Sequence, residues 1–436
     1  MTAPPVRELV LGAYRAALAA LEPRGLATRA LAGNAALARA PARSVLLLGA
    51  GKAAATLAAG ACDALGSALG GGFVVVKDGH AGATPAPGVV VAEASHPVPD
   101  ARSLAAGREL LARAAAPGAG IERIVALWSG GASALAVAPA PGLGLADKAA
   151  ALAALAAAGT PIGDLNRVRK HLSALKGGRL GVAAAVPVEA LVLSDVVGDD
   201  LATIGSGPWS PDPSSFADAL AVVARAGVAV PAAARRVLER GARGELDETP
   251  KPGDRRLAHV AVELLAGPDD AGRALARALE ASGVATEIEL RASPDVADLA
   301  SRLARAAREL AAGGTARALV VSGEPTLRLP ARTGRGGRAQ HTALLVASQL
   351  VGLATDGSRG LAVLCVGTDG TDGPTPDAGG LVDGATAARA CARGVDVGRA
   401  LEAFDAGPAL AAAGDLVTTG PTGTNLADLY AVVALP

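Results

Sequence analysis

Short runs of apolar, mostly β-branched residues alternate along the chain with longer Ala-, Leu- and Arg-rich stretches of helical period. Uninterrupted apolar runs of this length predict strands covered on both faces, and the longer stretches predict the covering helices. Strands are predicted at 44–48, 72–76, 89–92, 123–128 and 190–193, then at 259–265, 285–290, 318–321, 361–366 and 429–435. Helices are predicted at 6–21, 231–243, 268–282 and 295–312. This alternation is that of an α/β protein with largely parallel sheets. Thr249-Pro-Lys-Pro-Gly253 reads as a linker, so two α/β domains are expected, 1–252 and 253–436. The cleft between two such domains is the expected ligand site.

Composition narrows the class. The 51% hydrophobic and 2% aromatic content means cores built from Ala, Val and Leu. Basic and acidic residues balance at 41 each, so neither nucleic acid nor a membrane surface is an expected partner, and any basic cluster reads as a site for a small anion. Cys62, Cys365 and Cys391 are scattered without metal spacing, as expected of core fillers in a reducing cytoplasm. The first predicted helix carries Arg7, Glu8 and Arg15, unlike a signal peptide, and no apolar run reaches the ~20 residues of a membrane span. A homodimer is compatible with all of this. Basic charge is written almost wholly as Arg; the lysines are Lys52, Lys77, Lys148, Lys170, Lys176 and Lys251, and the asparagines are Asn34, Asn166 and Asn425. A Lys or Asn spent inside a Gly-rich loop therefore draws attention.

Several segments carry candidate chemistry. After the apolar run 361–366 comes Gly367-Thr-Asp-Gly-Thr-Asp-Gly-Pro-Thr-Pro-Asp, which with Asp383 crowds Asp369, Asp372 and Asp377 behind a strand end. Such a cluster suits a hard, oxygen-seeking cation, although Asp and Gly also form solvated turns. Gly49-Ala-Gly51-Lys52 is a strand–turn–helix junction whose amides and helix start favour an anion, with Lys52 projecting from the turn. It is not a Walker A loop but satisfies G-x-G-x-x-A through Ala54, a permissible dinucleotide fingerprint. Ser129-Gly130-Gly131-Ala-Ser133 is a second such cradle; Ser133 lacks the G-x-S-x-G context of a hydrolase nucleophile.

Further along, Asp164-Leu-Asn166-Arg-Val-Arg169-Lys-His-Leu-Ser-Ala-Leu-Lys176 places basic residues on helical faces, fit either for a polyanion or simply to complement the helix C-terminus. Asp195 stands where the strand 190–193 gives out and is a metal or base candidate. Glu324 ends another strand, and Arg338 follows two glycines at a helix start, placed to fork onto a carboxylate or phosphate. Thr422 and Asn425 offer polar side chains before the last strand, whereas His96, flanked by prolines, reads as a turn residue rather than a catalyst.

Taken in order, GAGKA, SHPVPD, SGGASAL, LNRVRKHLSALKGGRL, LSDVVGDDLATIGSGP, SGEPT, GRGGRAQH, GTDGTDGPTPDAGG and GPTGTN resemble the glycerate 2-kinase family, members of which are often labelled hydroxypyruvate reductase. The resemblance runs from Arg7 to Leu435. It implies a Rossmann-like N-terminal domain, a C-terminal MOFRL domain, and ATP- and Mg²⁺-dependent phosphorylation of D-glycerate at its 2-hydroxyl in the cleft between them. By this resemblance Lys52 and Arg338 match the family's cleft lysine and arginine. Phosphoryl transfer needs positioning and charge neutralisation, which suits these residues. Lys52 and Arg338 are then expected to hold glycerate's carboxylate or the transferring phosphoryl. Gly49, Gly51, Ser129, Gly130, Gly131, Ser133, Asn166, Glu324, Thr422 and Asn425 are the expected substrate and nucleotide contacts. Asp195, Glu324 and Asp369 are the candidates for Mg²⁺ or for the hydroxyl proton. An NAD(P)H-dependent hydroxypyruvate reductase is the alternative that G-x-G-x-x-A permits, and a non-catalytic binding module is a third.

Overall fold

The computed structural model describes residues 5–82, 85–330, 332–353 and 360–436. Two compact units emerge. The first comprises Pro23–Ser194 and Asp199–Leu265; the second combines the chain up to Glu22 with Asp195–Gly198 and Ala266–Pro436.

In the first unit the strands are β1 (Val45–Ala50), β2 (Leu69–Lys77), β3 (Val89–Ala94), β4 (Arg123–Ser129), β5 (Val188–Leu193) and β6 (Val260–Ala266). Their order is β3-β2-β1-β4-β5-β6, and β1 runs parallel to both β2 and β4. This is the doubly-wound order, whose switch point lies between β1 and β4. Every residue of β1 is buried, as its unbroken apolar run requires. Glycine at 49 serves this packing: a Cβ there would lie 2.8 Å from Val74 Cγ1, so Gly49 belongs to the sheet interior rather than to a ligand loop.

The second sheet contains β7 (Ala285–Leu290), β8 (Arg317–Gly323), β9 (Leu361–Gly367), β10 (Gly379–Val382), β11 (Leu416–Val417) and β12 (Asp428–Ala434), ordered β11-β10-β9-β12-β8-β7. The expectation of largely parallel sheets holds for the first sheet and is corrected for this one. β12 is antiparallel to both neighbours, β10 is antiparallel to β9, and only β7–β8 is parallel among the pairs described. β10 and β11 were not expected, being short and, for β10, opened by two glycines.

The division near Gly253 is displaced to Leu265/Ala266, because the strand after the linker completes the first sheet. The N-terminal helix, Val6–Ala20, also belongs with the second unit rather than the first. It buries Val6, Val10, Ala13, Tyr14 and Ala17, and Arg7 bonds Asp383 and Asp415 at 2.9 and 2.7 Å. Cys365 is buried in β9 as a core filler should be, but Cys391 is exposed. Among the described residues no helix is long and apolar enough to cross a membrane.

Candidate active site

In the first unit the two Gly-rich turns lie at the carboxyl ends of β1 and β4, and the backbone ties them together. The Lys52 N–H donates to the Gly130 carbonyl at 2.9 Å, and the Ala53 N–H donates to Ser129 Oγ at 3.0 Å. Ser129 is fully buried, so its hydroxyl serves this junction as an acceptor. Gly51 adopts φ +132°, and a Cβ on it would stand 2.1 Å from Ser129 Oγ and 2.6 Å from Ser129 O. Only glycine fits where these two turns cross. Gly131, at φ +86°, lies beneath two side chains: a Cβ there would meet Lys52 Cγ at 3.3 Å and His96 Nε2 at 3.4 Å. His96, read from the sequence as a turn residue, is therefore brought to the same glycine as Lys52. Its partner spacing could not be seen from flanking prolines alone.

Ser133 and Asn166 join a polar chain in the same unit. Ser133 Oγ and Ser206 Oγ are 2.7 Å apart, Ser206 Oγ donates to Asn166 Oδ1 at 3.4 Å, and the Arg169 guanidinium donates to the same Asn166 oxygen. Asn166 also lines a cavity of about 600 Å³ together with Arg167, Lys170 and Asp212.

In the second unit the antiparallel course of β12 explains how distant acids meet. Asp428, its first residue, pairs in register with Gly323 at the end of β8 and with Gly367 at the end of β9. The residues just past β8 and β9, Glu324 and Asp369, therefore share one sheet edge with Asp428. Arg338, opening the helix Arg338–Gln349, bonds Glu324 Oε1 at 2.8 Å and Asp428 at 2.5 and 3.1 Å. Its own burial works against the charge of this guanidinium, but the Asp428 and Glu324 carboxylates outweigh that and hold it firmly protonated. Loss of solvent pushes the Glu324 carboxyl up, with Asp428 and Asp195 adding to this and Arg338 opposing it. Because 42% of the Glu324 side chain is exposed, solvent screens much of that effect. Asp195 belongs to this unit, and its Oδ2 accepts from Asn425 Nδ2 at 2.8 Å.

The remaining expected contacts are engaged locally. Asp369 Oδ1 accepts from the Thr371 N–H at 3.0 Å, and Thr422 Oγ1 donates to the Thr368 carbonyl at 2.6 Å. Asp372, one of the clustered acids, caps the Arg338 helix by accepting from the Ala339 and Gln340 N–H groups at 3.2 and 2.7 Å. Burial raises its carboxyl to about 7 despite those bonds. Among the described residues no three His, Cys, Asp or Glu side chains are gathered closely enough to hold an ion by themselves. Asp428 is the residue that sequence reasoning missed. The available signal was an acid opening an otherwise apolar strand.

The model described as a domain of unknown function (DUF4147) matches residues 9–239, and that of the MOFRL family matches residues 317–428. The chain is 39% identical over 439 residues to a protein of Agrobacterium vitis bearing a hydroxypyruvate reductase name, covering 98% of this chain and 94% of the relative. It is 36% identical over 391 residues to the D-glycerate 2-kinase of Thermotoga maritima, covering 88% and 89%. The crystal structure of a glycerate kinase from Thermotoga maritima matches with a TM-score of 0.83 at 32% identity, over 98% of this chain and 99% of that one.

Proposed function

This chain belongs to the DUF4147–MOFRL family of glycerate kinases, and from that premise we propose that it transfers the terminal phosphoryl group of ATP, with Mg²⁺, to the 2-hydroxyl of D-glycerate. The observation that carries the choice over a nicotinamide-dependent reductase is the occlusion of Gly51. In a dinucleotide fingerprint the second glycine lets the backbone approach a pyrophosphate. Here the space over Gly51 is filled by Ser129 of the protein itself. The turn instead presents Lys52, which suits a phosphoryl or carboxylate oxygen better than a neutral nicotinamide.

In this reading Lys52 neutralises charge on the transferring group, and the Gly130 and Gly131 amides of the second turn orient it. Arg338, fixed by Asp428, faces the substrate or phosphoryl through its remaining nitrogen once Glu324 releases it. The 2-hydroxyl oxygen bonds to the terminal phosphorus, the bridging P–O bond to ADP breaks, and the hydroxyl proton passes to Asp195 or Glu324. Mg²⁺ is commonly held by one or two carboxylates plus substrate phosphates, and the oxygen donors of Asp195 and Glu324 fit that mode; when bound, the ion would neutralise charge on the phosphates. The donor set does not require three preassembled acids.

Purified protein given D-glycerate, ATP and Mg²⁺ is expected to form ADP, with the ³¹P spectrum showing the 2-phosphate ester. Hydroxypyruvate with NADH is expected to show no oxidation. NADH consumption without ADP formation would reverse the assignment, and saturable binding without turnover in either assay would leave only a binding module.

A further inference from the structure

Two buried lysines and one half-buried arginine of the first unit have no acid paired with them among the described residues. Lys148, in the first turn of the helix Leu145–Ala157, is 3% exposed, and its Nζ has no hydrogen-bond partner among the described residues. Lys176 is fully buried, and its Nζ has one weak bond, to the Ala136 carbonyl at 3.4 Å. Arg169, half-buried, reaches only the neutral Asn166 oxygen. No carboxylate lies in ion-pair range of any of the three among the described residues. The same unit shows how it treats a structural lysine: Lys170, 6% exposed, is paired with Asp212 at 3.2 Å.

Burying a cation without a counter-charge is costly, and a helix N-terminus adds further positive potential around Lys148. An arrangement that concentrates cations in this way is stabilised by an anion that the chain itself does not supply. We propose that Lys148, Lys176 and Arg169, with the Ser133 hydroxyl that connects to Arg169 through Ser206 and Asn166, form a subsite for one oxyanion group of a ligand, a carboxylate or a phosphate. Ser133 and Arg169 are the half-buried members and give the subsite its opening. Burial depresses all three basic groups; repulsion from Arg169 adds to it at Lys148, and repulsion from Lys148 and Arg169 adds to it at Lys176, and Lys148 is brought down to about 7. An anion reverses that effect. Its identification as glycerate's carboxylate or a nucleotide phosphate rests on the reaction proposed above; the existence of the subsite does not.

The test is thermal unfolding of the full chain at constant ionic strength in chloride, sulfate, D-glycerate, or a non-hydrolysable ATP analogue with Mg²⁺. The wild type is expected to melt higher with sulfate and with whichever physiological ligand carries the oxyanion. A gain with D-glycerate names the carboxylate, and a gain with the analogue names the phosphate. Lys148→Met is expected to melt above the wild type in chloride, since an unpaired cation is gone, and to lose most of the ligand-dependent gain, with oxyanion affinity at least tenfold weaker. A purely structural lysine would give the opposite sign in chloride. Equal gains in variant and wild type, no gain in any wild-type arm, or a gain with sulfate alone (an adventitious ion only) would overturn the proposal.

If Lys148→Met does not fold, Lys176→Met is read by the same criteria. Sulfate titration of the wild type gives an independent check. Its affinity is expected to fall at least threefold between pH 7 and 9, as Lys148 and Lys176 lose protons; Arg169 faces both, and Asp147 stands beside Lys148 on the same helix. A flat profile counts against the subsite. None of these readouts uses turnover, so a chain that binds the oxyanion without phosphorylating glycerate would retain the subsite and lose the reaction.

Discussion

Arg338 holds Asp428 through two nitrogens, Nε to Oδ2 at 2.5 Å and Nη2 to Oδ1 at 3.1 Å, while the Tyr430 hydroxyl donates to the same carboxylate at 3.0 Å. The side chain of Asp428 is 5% exposed and that of Arg338 33%, so the acid is the fixed member and the guanidinium is aimed by it. This bidentate geometry orients the arginine as a single charge contact could not.

Asp428→Asn is therefore expected to lower kcat for glycerate phosphorylation by about 10- to 100-fold, an effect on positioning rather than on direct contact. Stability should fall by about 1–3 kcal/mol, less than for a fully buried pair because the arginine is partly solvated. Steady-state kinetics and urea unfolding of the same preparation check both. A variant with wild-type kcat would remove Asp428 from the mechanism.

The crossing of the two turns at Gly51 makes a sharper structural prediction. Gly51→Ala forces a Cβ to within 2.1 Å of Ser129 Oγ and 2.6 Å of Ser129 O at φ +132°. A loss on the order of 3 kcal/mol or more is expected, from overpacking and backbone strain together. Adding Ser129→Ala should not rescue it, because the backbone oxygen remains and the Ala53 N–H loses its acceptor. Full rescue in urea unfolding at unchanged m-value would show that the clash is confined to the hydroxyl.

Lys52 and His96 converge over Gly131, which sets up a kinetic comparison. Lys52→Ala should reduce kcat/KM by at least about 100-fold, because it removes charge from the transferring group. His96→Ala should reduce it by about 10-fold or more if the imidazole contacts the same ligand. Measured kcat/KM for both variants, with melting temperatures close to wild type, tests the pairing. An unaffected His96→Ala would return His96 to the role of a turn residue.

Much of this was legible in the chain. β1, β4 and β9 were found because strands buried on both faces leave unbroken apolar runs. Lys52, Glu324 and Arg338 stood out because each follows a strand end or opens a helix. The antiparallel course of β12 was not legible, since periodicity gives no strand direction, and Asp428 was lost with it. The Ala-rich helix 145–157 concealed Lys148, whose only local signal was that lysine is scarce in this sequence. The segment 249–253, read as a linker between domains, lies outside helices and strands, but such a break does not say which sheet the next strand joins.

Asp372 carries a pH signature with a defined sign. Burial raises its carboxyl from 3.8 to about 7, with the amides of Ala339 and Gln340 opposing the shift. The folded state therefore binds this proton more tightly than the unfolded chain does. The stability it contributes is fully present below pH ~4 and is lost as pH rises toward 7, at no more than about 1.4 kcal/mol per pH unit. Asp372→Asn mimics the protonated side chain and cannot ionise. Urea unfolding at pH 5 and pH 7 should show this loss in the wild type and a smaller one in the variant. Equal losses in the two proteins would mean that Asp372 keeps an ordinary carboxylate in the folded state, with the helix amides outweighing its burial.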